Sequence, residues 1–364
     1  MTMVIDGTLG ITFPDTSRQY NSYYNFKNRI INGAMVIDQR NNGASVIPTT
    51  SYTLDRWVAS QSVASKFSVQ RNAGSVTPPV GFTNYLGVTS LSAYSSGAGD
   101  VFILNQYIEG VNTADFAWGT ANATSIAVSF WVRSSLTGTF SLSICNGASN
   151  RSYITTYTVN AANTWEYKTV TIPGDTTGSW MTDSNISLQL RFDLGLGSNF
   201  NGTAGSWVAG NVARTSGSQS IVGTNGATFY ITGVQLEEGI VSTPFDFRPY
   251  TTELQLCQRY YYQSWGSGAF TVTGNAFFGM PVPNALQVSV GTTTFPVVMR
   301  ANPTVTLYDD VGSSGRVSQP GLANGLISTA SGMGVSGFSG TLRTSASYTT
   351  AYPVSAGFIA AIEL

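Results

Sequence analysis

Apolar and polar residues alternate along several long stretches of the chain. In SNISLQLRFDLG, Ile186, Leu188, Leu190, Phe192 and Leu194 fall on one side, and Ser187, Gln189, Arg191 and Asp193 on the other. A period of two marks a strand with one face on a core and the other toward water. This segment is therefore expected to be a half-buried antiparallel strand whose polar set, Asp193 included, faces solvent. TSIAVSFWVRSS reads the same way, with Ile126, Val128, Phe130 and Val132 inward and Ser129 and Arg133 outward. TFSLSIC places Phe140, Leu142 and Ile144 on one face, and RSYITTYTVN, TWEYKTVTIP and ATFYITGVQLEEG are further strand candidates. Short strands separated by Gly, Asn and Ser turns predict an all-β fold, with a jelly-roll β-sandwich over residues 28–250.

Three stretches depart from that pattern. Residues 1–27 hold the turn-rich DGTLG and TFPD, and Met1 to Tyr24 is too short and polar for a core. It reads as an extended N-terminal arm that orders against a partner. Gly195 to Ala227 is the longest irregular region, and loops of that length on a compact sandwich are usually functional or disordered. In STPFDFRPYTTELQLCQRYYYQSW, the residue before Pro249 avoids helical angles. Thr252 is placed to cap a following helix and Gln255 to reach back. Leu254, Cys257 and Tyr261 then share one helical face. Residues 251–265 thus read as a joint: a short helix and a tyrosine-rich segment suited to a strand or an inter-subunit contact. Residues 266–364 are again β-like: FPVVMRANPTVTLYDD is expected to be strand, turn, strand, and GFIAAIEL a final apolar strand. A Gly/Ser-rich domain of this size has a limited core, so oligomerisation is expected to supply burial.

Composition narrows the chemistry. Charged residues are 10% of the chain, well below the roughly 25% usual in globular domains, yet aromatics are 12%, which speaks against disorder. The formal net charge is −1 and there is no Lys/Arg run, so no footprint for nucleic acid is present. The first residues lack the basic and apolar regions of a secretory signal, and no apolar run approaches the ~20 residues of a membrane span. Synthesis in a cytoplasm without membrane insertion is the expectation. The chain contains no histidine, which removes Ser-His-Asp and Cys-His catalysis and most transition-metal sites; no metal or cofactor is expected. Cys145 and Cys257 are read as isolated, reduced thiols.

Candidate binding residues follow from the aromatics on polar loops. Flat rings stack on the C–H faces of pyranoses while amide and charged side chains bond the hydroxyls. The candidates are Trp118 and Trp180 on turns, Asn199, Asn201, Trp207 and Arg214 on the long loop, and Tyr308, Asp309 and Asp310 near the C-terminal turn. For Trp207 the competing reading is that it pins the loop to the sandwich. Glycoside cleavage needs two carboxylates. Asp193, Asp309 with Asp310, and Glu237 with Glu238 are available, but each has a plain structural reading: a solvent-facing strand position, a turn, and a strand end.

At the joint, VQLEEGIVSTPFDFRPYTTELQLCQRYYYQS resembles the junction of many bacteriophage tail-fibre and receptor-binding proteins. The resemblance is carried by Gln235, Leu236, Glu237, Gly239, Thr243, Pro244, Phe245, Arg248, Glu253, Leu254, Cys257, Gln258, Arg259, Tyr260 and Tyr261. Upstream, NRIINGAMVIDQRNNGA and YTLDRW are similar to the start of the same module, which looks like a carbohydrate-binding jelly roll. Downstream, FPVVMRANPTVTLYD and AAIEL resemble the distal domain of such fibres, and DGTLGITFPDTSRQ their N-terminal segments. The resemblance implies a homotrimeric virion fibre that docks on a phage tail, adaptor or capsid protein through its N-terminal arm. It would bind a host surface polysaccharide without cleaving it, with Cys257 as a packing residue. No heptads are present, so a short fibre or spike is expected. The alternatives are a purely structural capsid fibre or tail adaptor and, less favoured because no β-helix repeat is found, a glycan depolymerase.

Overall fold

The computed structural model describes residues 4–6, 10–12, 18–19, 26–269, 277–281, 287–318, 326–330, 332–344 and 354–364. At the N-terminus β1 (Val4–Asp6), β2 (Gly10–Thr12) and β3 (Arg18–Gln19) pair with one another in an antiparallel sheet. In these segments the expected extended arm is folded on itself; the remainder of that expectation lies outside the described residues.

The alternating segments form two antiparallel sheets facing each other as a jelly-roll sandwich. Their strands are β4 (Thr50–Leu54), β5 (Trp57–Gln61), β6 (Phe67–Arg71), β7 (Leu86–Ser90), β8 (Phe102–Glu109) and β9 (Ile126–Ser134). They continue with β10 (Gly138–Asn146), β11 (Arg151–Val159), β12 (Glu166–Ile172), β13 (Ile186–Asp193), β14 (Trp207–Ala209) and β15 (Thr228–Glu238). One sheet has seven strands in the order β14-β11-β10-β13-β8-β5-β4, the other five in the order β12-β9-β15-β7-β6. The inward sets meet as the alternation requires: Val128, Phe130, Phe140, Leu142, Leu190 and Phe192 are fully buried. Phe130 and Phe192 pack edge to face across the sandwich at 5.2 Å. Each such side chain contributes about 1.5–3 kcal/mol by leaving water.

The outward set of β13 differs from expectation. Ser187, Gln189, Arg191 and Asp193 are all 5% exposed or less, as is Ser129 of β9. The reason is tertiary. Strand β13 lies mid-sheet between β10 and β8, and the long segment after it folds back over the outer face. Leu196 and Ala213 of that segment pack on Ile103 of β8, with Val101 and Phe200 beside them. A small apolar patch thus fastens the loop over a polar face.

The joint helix α1 (Tyr250–Gln258) begins directly after Pro249, which has extended angles and no side-chain cap. Thr252 therefore lies inside the helix and not at its cap, a correction to the expected start: proline pre-sets φ and its carbonyl accepts from Glu253 N. Buried Cys257 and Tyr260 pack on Ile31 and Ile37, while β16 (Tyr261–Gln263) becomes a strand. Both cysteines are free and buried.

The remaining strands are β17 (Phe277–Pro281), β18 (Gln287–Thr294), β19 (Thr304–Tyr308), β20 (Arg316–Val317), β21 (Leu326–Thr329), β22 (Met333–Gly334), β23 (Gly337–Thr344) and β24 (Val354–Ala361). Strand β16 pairs with β24, which also pairs with β17 and β19. Phe295 to Arg300 is not the first strand of the expected pair. It is an irregular turn whose Phe295 and Met299 point into a smaller core with Leu307 and Phe358.

The end of the chain returns to the joint. Arg40 and Arg56 both reach Glu363, Arg56 at 2.6 Å, and Arg40 Nη1 lies 3.7 Å from Asp55. The Arg56 guanidinium sits 3.5 Å over Tyr260 and that of Arg40 3.6 Å over Tyr261. Tyr52 donates to the Leu364 carbonyl at 3.0 Å. The segments DQR, YTLDRW, CQRYY and AIEL thus meet in one buried ion cluster.

Candidate functional site

The structure distributes the nine candidate residues over three places. The first is a tryptophan cluster beside the edge strand β14. Trp118 and Trp180 pack at 4.6 Å, Trp118 and Trp207 at 5.3 Å, and Trp180 and Trp207 at 5.5 Å, all edge to face. Their indole N–H groups all donate to protein acceptors: Trp118 to Thr124 O, Trp207 to Pro173 O and Trp180 to Asp175 Oδ2. Arg151 grips the same Asp175 with two parallel bonds of 2.7 and 2.9 Å. Burial alone would raise the Asp175 pKa, but the bonds from Arg151, Trp180 and Thr177 outweigh it and hold the carboxyl below its usual range. The cluster is packed against the main core. Its geometry matches the pinning reading of Trp207.

The second place is the base of the long loop. Asn199 and Asn201 are exposed, and Asn201 forms a bridge with Arg214. Arg214 itself is turned inward. Its Nε lies 3.3 Å from Asp193 Oδ2, and its two Nη groups donate to the Leu196 and Ser218 carbonyls. Asp193 also accepts from Gly195 N and Leu196 N, both at 2.8 Å. Burial pushes the Asp193 carboxyl up to about 6, against the pull of Arg214. The expected solvent-facing Asp193 is thus a buried anchor, and the Arg214 charge is spent on it. Gly197 shows how tightly the loop base is seated: an added Cβ would stand 2.1 Å from the Gly97 carbonyl oxygen. A broad serine-rich hollow of about 590 Å³ opens here, lined among others by Ser96, Ser198, Asn201 and Arg214.

The third place is the turn after β19. Asp309 is fully buried, and its Oδ1 accepts from Val311 N and Ser313 N. It holds the turn, as the sequence pattern of that segment implies. Tyr308 is half-buried with its ring 5.2 Å from Trp265, and Asp310 is exposed. Glu237 is likewise structural: it accepts from Thr243 N, Thr243 Oγ1 and Gln235 Nε2.

A fourth place was not singled out from sequence. Between the outer face of the seven-stranded sheet and the folded-back loop lies a cavity of about 200 Å³. Asn105 and Tyr107 of β8, Gln189 and Arg191 of β13, and Phe200 and Asn211 of the loop line it. Period-two alternation places each of these strand residues on the outward face. Arg191 Nη1 donates to Asn211 Oδ1 at 2.6 Å, and its Nε and Nη2 donate to Gln189 Oε1 at 3.2 and 2.8 Å. The signal in the sequence was the accumulation of amides and a guanidinium on the polar side of two strands. Missing from it was the loop that turns this face into a cavity.

Comparisons with known proteins add the following. No family model matches the chain, and no curated protein matches it. Among solved structures it is similar to the enzymatically active domain of bacteriophage CBA120 tailspike protein 4, at 12% identity and a TM-score of 0.32 over 59% of this chain and 22% of that one. It is also similar to TmCBM61 in complex with β-1,4-galactotriose, at 12% identity and a TM-score of 0.30 over 58% and 99% of the two chains. A third is the family 11 carbohydrate-binding module from Clostridium thermocellum in complex with a β-1,3-1,4-mixed-linked tetrasaccharide, at 13% identity and a TM-score of 0.27 over 54% and 98%. These superpositions are loose, and the chemistry of the site is read from its own residues.

Proposed function

We propose that this chain is a bacteriophage virion fibre or spike subunit that binds a surface glycan of the host cell and does not cleave it. The observation that carries the reading is the cavity between sheet and loop. Amide groups of Asn105, Gln189 and Asn211, the guanidinium of Arg191 and the rings of Tyr107 and Phe200 converge on it. Fixed amides recognise hydroxyls and flat rings cover C–H faces, which is the chemistry of a sugar site. Among the described residues, neither this cavity nor the larger hollow at the loop base is lined by a carboxylate. Glycoside hydrolysis needs two of them, and the non-enzymatic part of the proposal is an expectation for the reducing-end assay below. The joint motif supports the phage assignment through its resemblance to fibre proteins. Assembly as a homotrimer, attachment to tail or capsid through the N-terminal arm, and residence in the virion belong to the same proposal. A cavity of this size sits below the roughly 300–1,000 Å³ of sites that enclose a drug-sized ligand. Affinity per subunit is accordingly expected to be weak and multiplied by the copies in the fibre.

The test is binding of the full chain to intact bacteria and to their extracted surface polysaccharides, with reducing ends assayed in the same samples. Retention on one polysaccharide without new reducing ends is expected. Release of oligosaccharide would overturn the non-enzymatic reading. Absence of binding across a broad host panel would leave the structural fibre or adaptor as the better account.

A further inference from the structure

The row of the seven-stranded sheet that crosses Arg191 is chemically incomplete. Asn105 of β8 and Ser143 of β10 stand directly opposite Arg191 in register, one on either side. Asn105 and Arg191 are each 5% exposed and Ser143 is fully buried. Asn105 Oδ1 and Ser143 Oγ reach no hydrogen-bond partner among the described residues. Buried polar groups are nearly always paired, so two orphans flanking one guanidinium need an explanation.

Arg191 is itself short of a partner of the right kind. A guanidinium carries five N–H donors. Those in use go to Gln189 Oε1, Asn211 Oδ1 and Ser149 Oγ, all neutral. Among the described residues no carboxylate forms an ion pair with it. The neighbouring Asp193 is held by Arg214, and the titratable groups that face Arg191 are the Cys145 thiol and the Tyr107 phenol. Burial lowers the Arg191 pKa, against the smaller raising influence of those two groups. A buried charge is stable only when paired. Here it lines an open cavity, where a counter-charge can enter from outside.

We propose that this cavity takes the carboxylate of an acidic sugar, a uronic acid residue of the surface polysaccharide. The inference rests on the glycan-binding reading above. Arg191 is the counter-charge. The carboxylate meets the remaining Nη1 hydrogen and displaces the carbonyl of Asn211, which sits on the exposed edge of the loop. Asn105 lines the cavity and meets a ring hydroxyl through its amide group, and Tyr107 and Phe200 face the C–H surface. A single uncompensated positive charge matches a monoanion. A phosphate monoester would bring an excess of negative charge into a site with few free donors.

The test is calorimetric titration of the full chain with trisaccharides of galacturonate, glucuronate and mannuronate, with their carboxyl-reduced counterparts, and with a sulfated trisaccharide. At least one uronate is expected to bind ten-fold or more tightly than its reduced form. Arg191→Gln is expected to abolish that preference, and Asn105→Ala to weaken both forms, with near-ultraviolet circular dichroism unchanged in each variant. Equal binding of acid and reduced forms would overturn the acidic-sugar assignment while leaving glycan binding standing. A preference that survives Arg191→Gln would overturn the site. Tighter binding of the sulfated sugar would overturn the carboxylate in favour of a sulfate ester. Failure of every saccharide to bind would overturn this inference, and the cell-binding experiment would then decide the wider reading separately.

Discussion

The joint and the loop-covered sheet face both bury arginines, and they do so in opposite ways. At the joint, Arg40 and Arg56 face Asp55 and Glu363, two guanidiniums to two carboxylates. Their spare faces lie on tyrosine rings. For Arg56 burial alone would lower the pKa, but Glu363 reverses this and the net shift is upward. On the sheet face, Arg214 has Asp193, but Arg191 has no acid among the described residues, and its shift is downward. Burial of an arginine is therefore not what marks a site. The missing counter-charge is. A closed cluster holds the chain together, and on the proposal above an open one takes its counter-charge from a ligand.

The largest effect that tests this contrast is at Glu363. Glu363→Gln keeps the shape but leaves two buried guanidiniums with Asp55 alone. Removing one partner of a buried ion pair costs about 3–5 kcal/mol. A loss of that size in denaturant unfolding is expected, with sugar binding unchanged in the fraction that remains folded. A loss below about 1 kcal/mol would mean that the cluster behaves like a surface pair and is not closed. The same variant tests whether β24 is secured to the sandwich through this cluster, since Glu363 lies two residues beyond the end of that strand.

Next in size is the pH response of Asp193, whose carboxyl is pushed up to about 6 by burial. The folded state then holds a proton that the unfolded chain has already released, because an ordinary Asp titrates near ~4. For a carboxyl raised in this way, stability is highest below the unfolded value and falls as pH rises from about 4 to about 6. Two pKa units correspond to about 2–3 kcal/mol. The stability difference between wild type and Asp193→Asn should fall by roughly that amount across the window. A flat difference would place Asp193 in an environment no different from water and would remove the anchor assigned to it.

The same contrast explains what the sequence could reveal. The joint was largely legible because its chemistry is local and patterned: prolines, a helical face with Leu254 and Cys257, and a tyrosine run beside arginines; Tyr261, expected on that face, falls instead in β16. The inward faces of β9, β10 and β13 were legible because period-two alternation is a direct consequence of strand geometry. The polar face of β13 was misread because alternation says which residues share a face and nothing about what covers it. The return of Leu196 and Ala213 onto Ile103, together with the turn after β10 that meets Gln189 and Arg191 through Asn146 and Ser149, covers that face. The loop tryptophans were picked for their chemistry, and the fold assembles all three at the sandwich edge with every N–H occupied. Arg214 was picked because a charged side chain can bond sugar hydroxyls, and the fold pairs it with Asp193 instead. Pairing across a loop of this length is a tertiary fact, so the difference between Arg214 and Arg191 has no counterpart in the sequence.

The smallest expected effect is the most discriminating. Arg191→Met replaces the unpaired guanidinium by a flexible apolar chain of similar reach. The bonds to Gln189, Asn211 and Ser149 are lost, but Ser149 is only half-buried, so Gln189 Oε1 is the acceptor left buried without a donor, at a cost of about 1–3 kcal/mol. Against that, replacing a buried ion by an apolar side chain is often neutral or stabilising by about 1–4 kcal/mol. Asn211 lies on the exposed loop edge and regains water, which lowers the first cost. The two terms nearly cancel, and a net change within about 1 kcal/mol is expected in denaturant unfolding. Glu363→Gln and Arg191→Met would then differ by at least about 2 kcal/mol although both alter buried ionic groups. A loss at Arg191 as large as that at Glu363 would make Arg191 a structural pillar completed by its amide partners. The open row would then be closed in its own way, and the case for an entering anion would fail at its physical root.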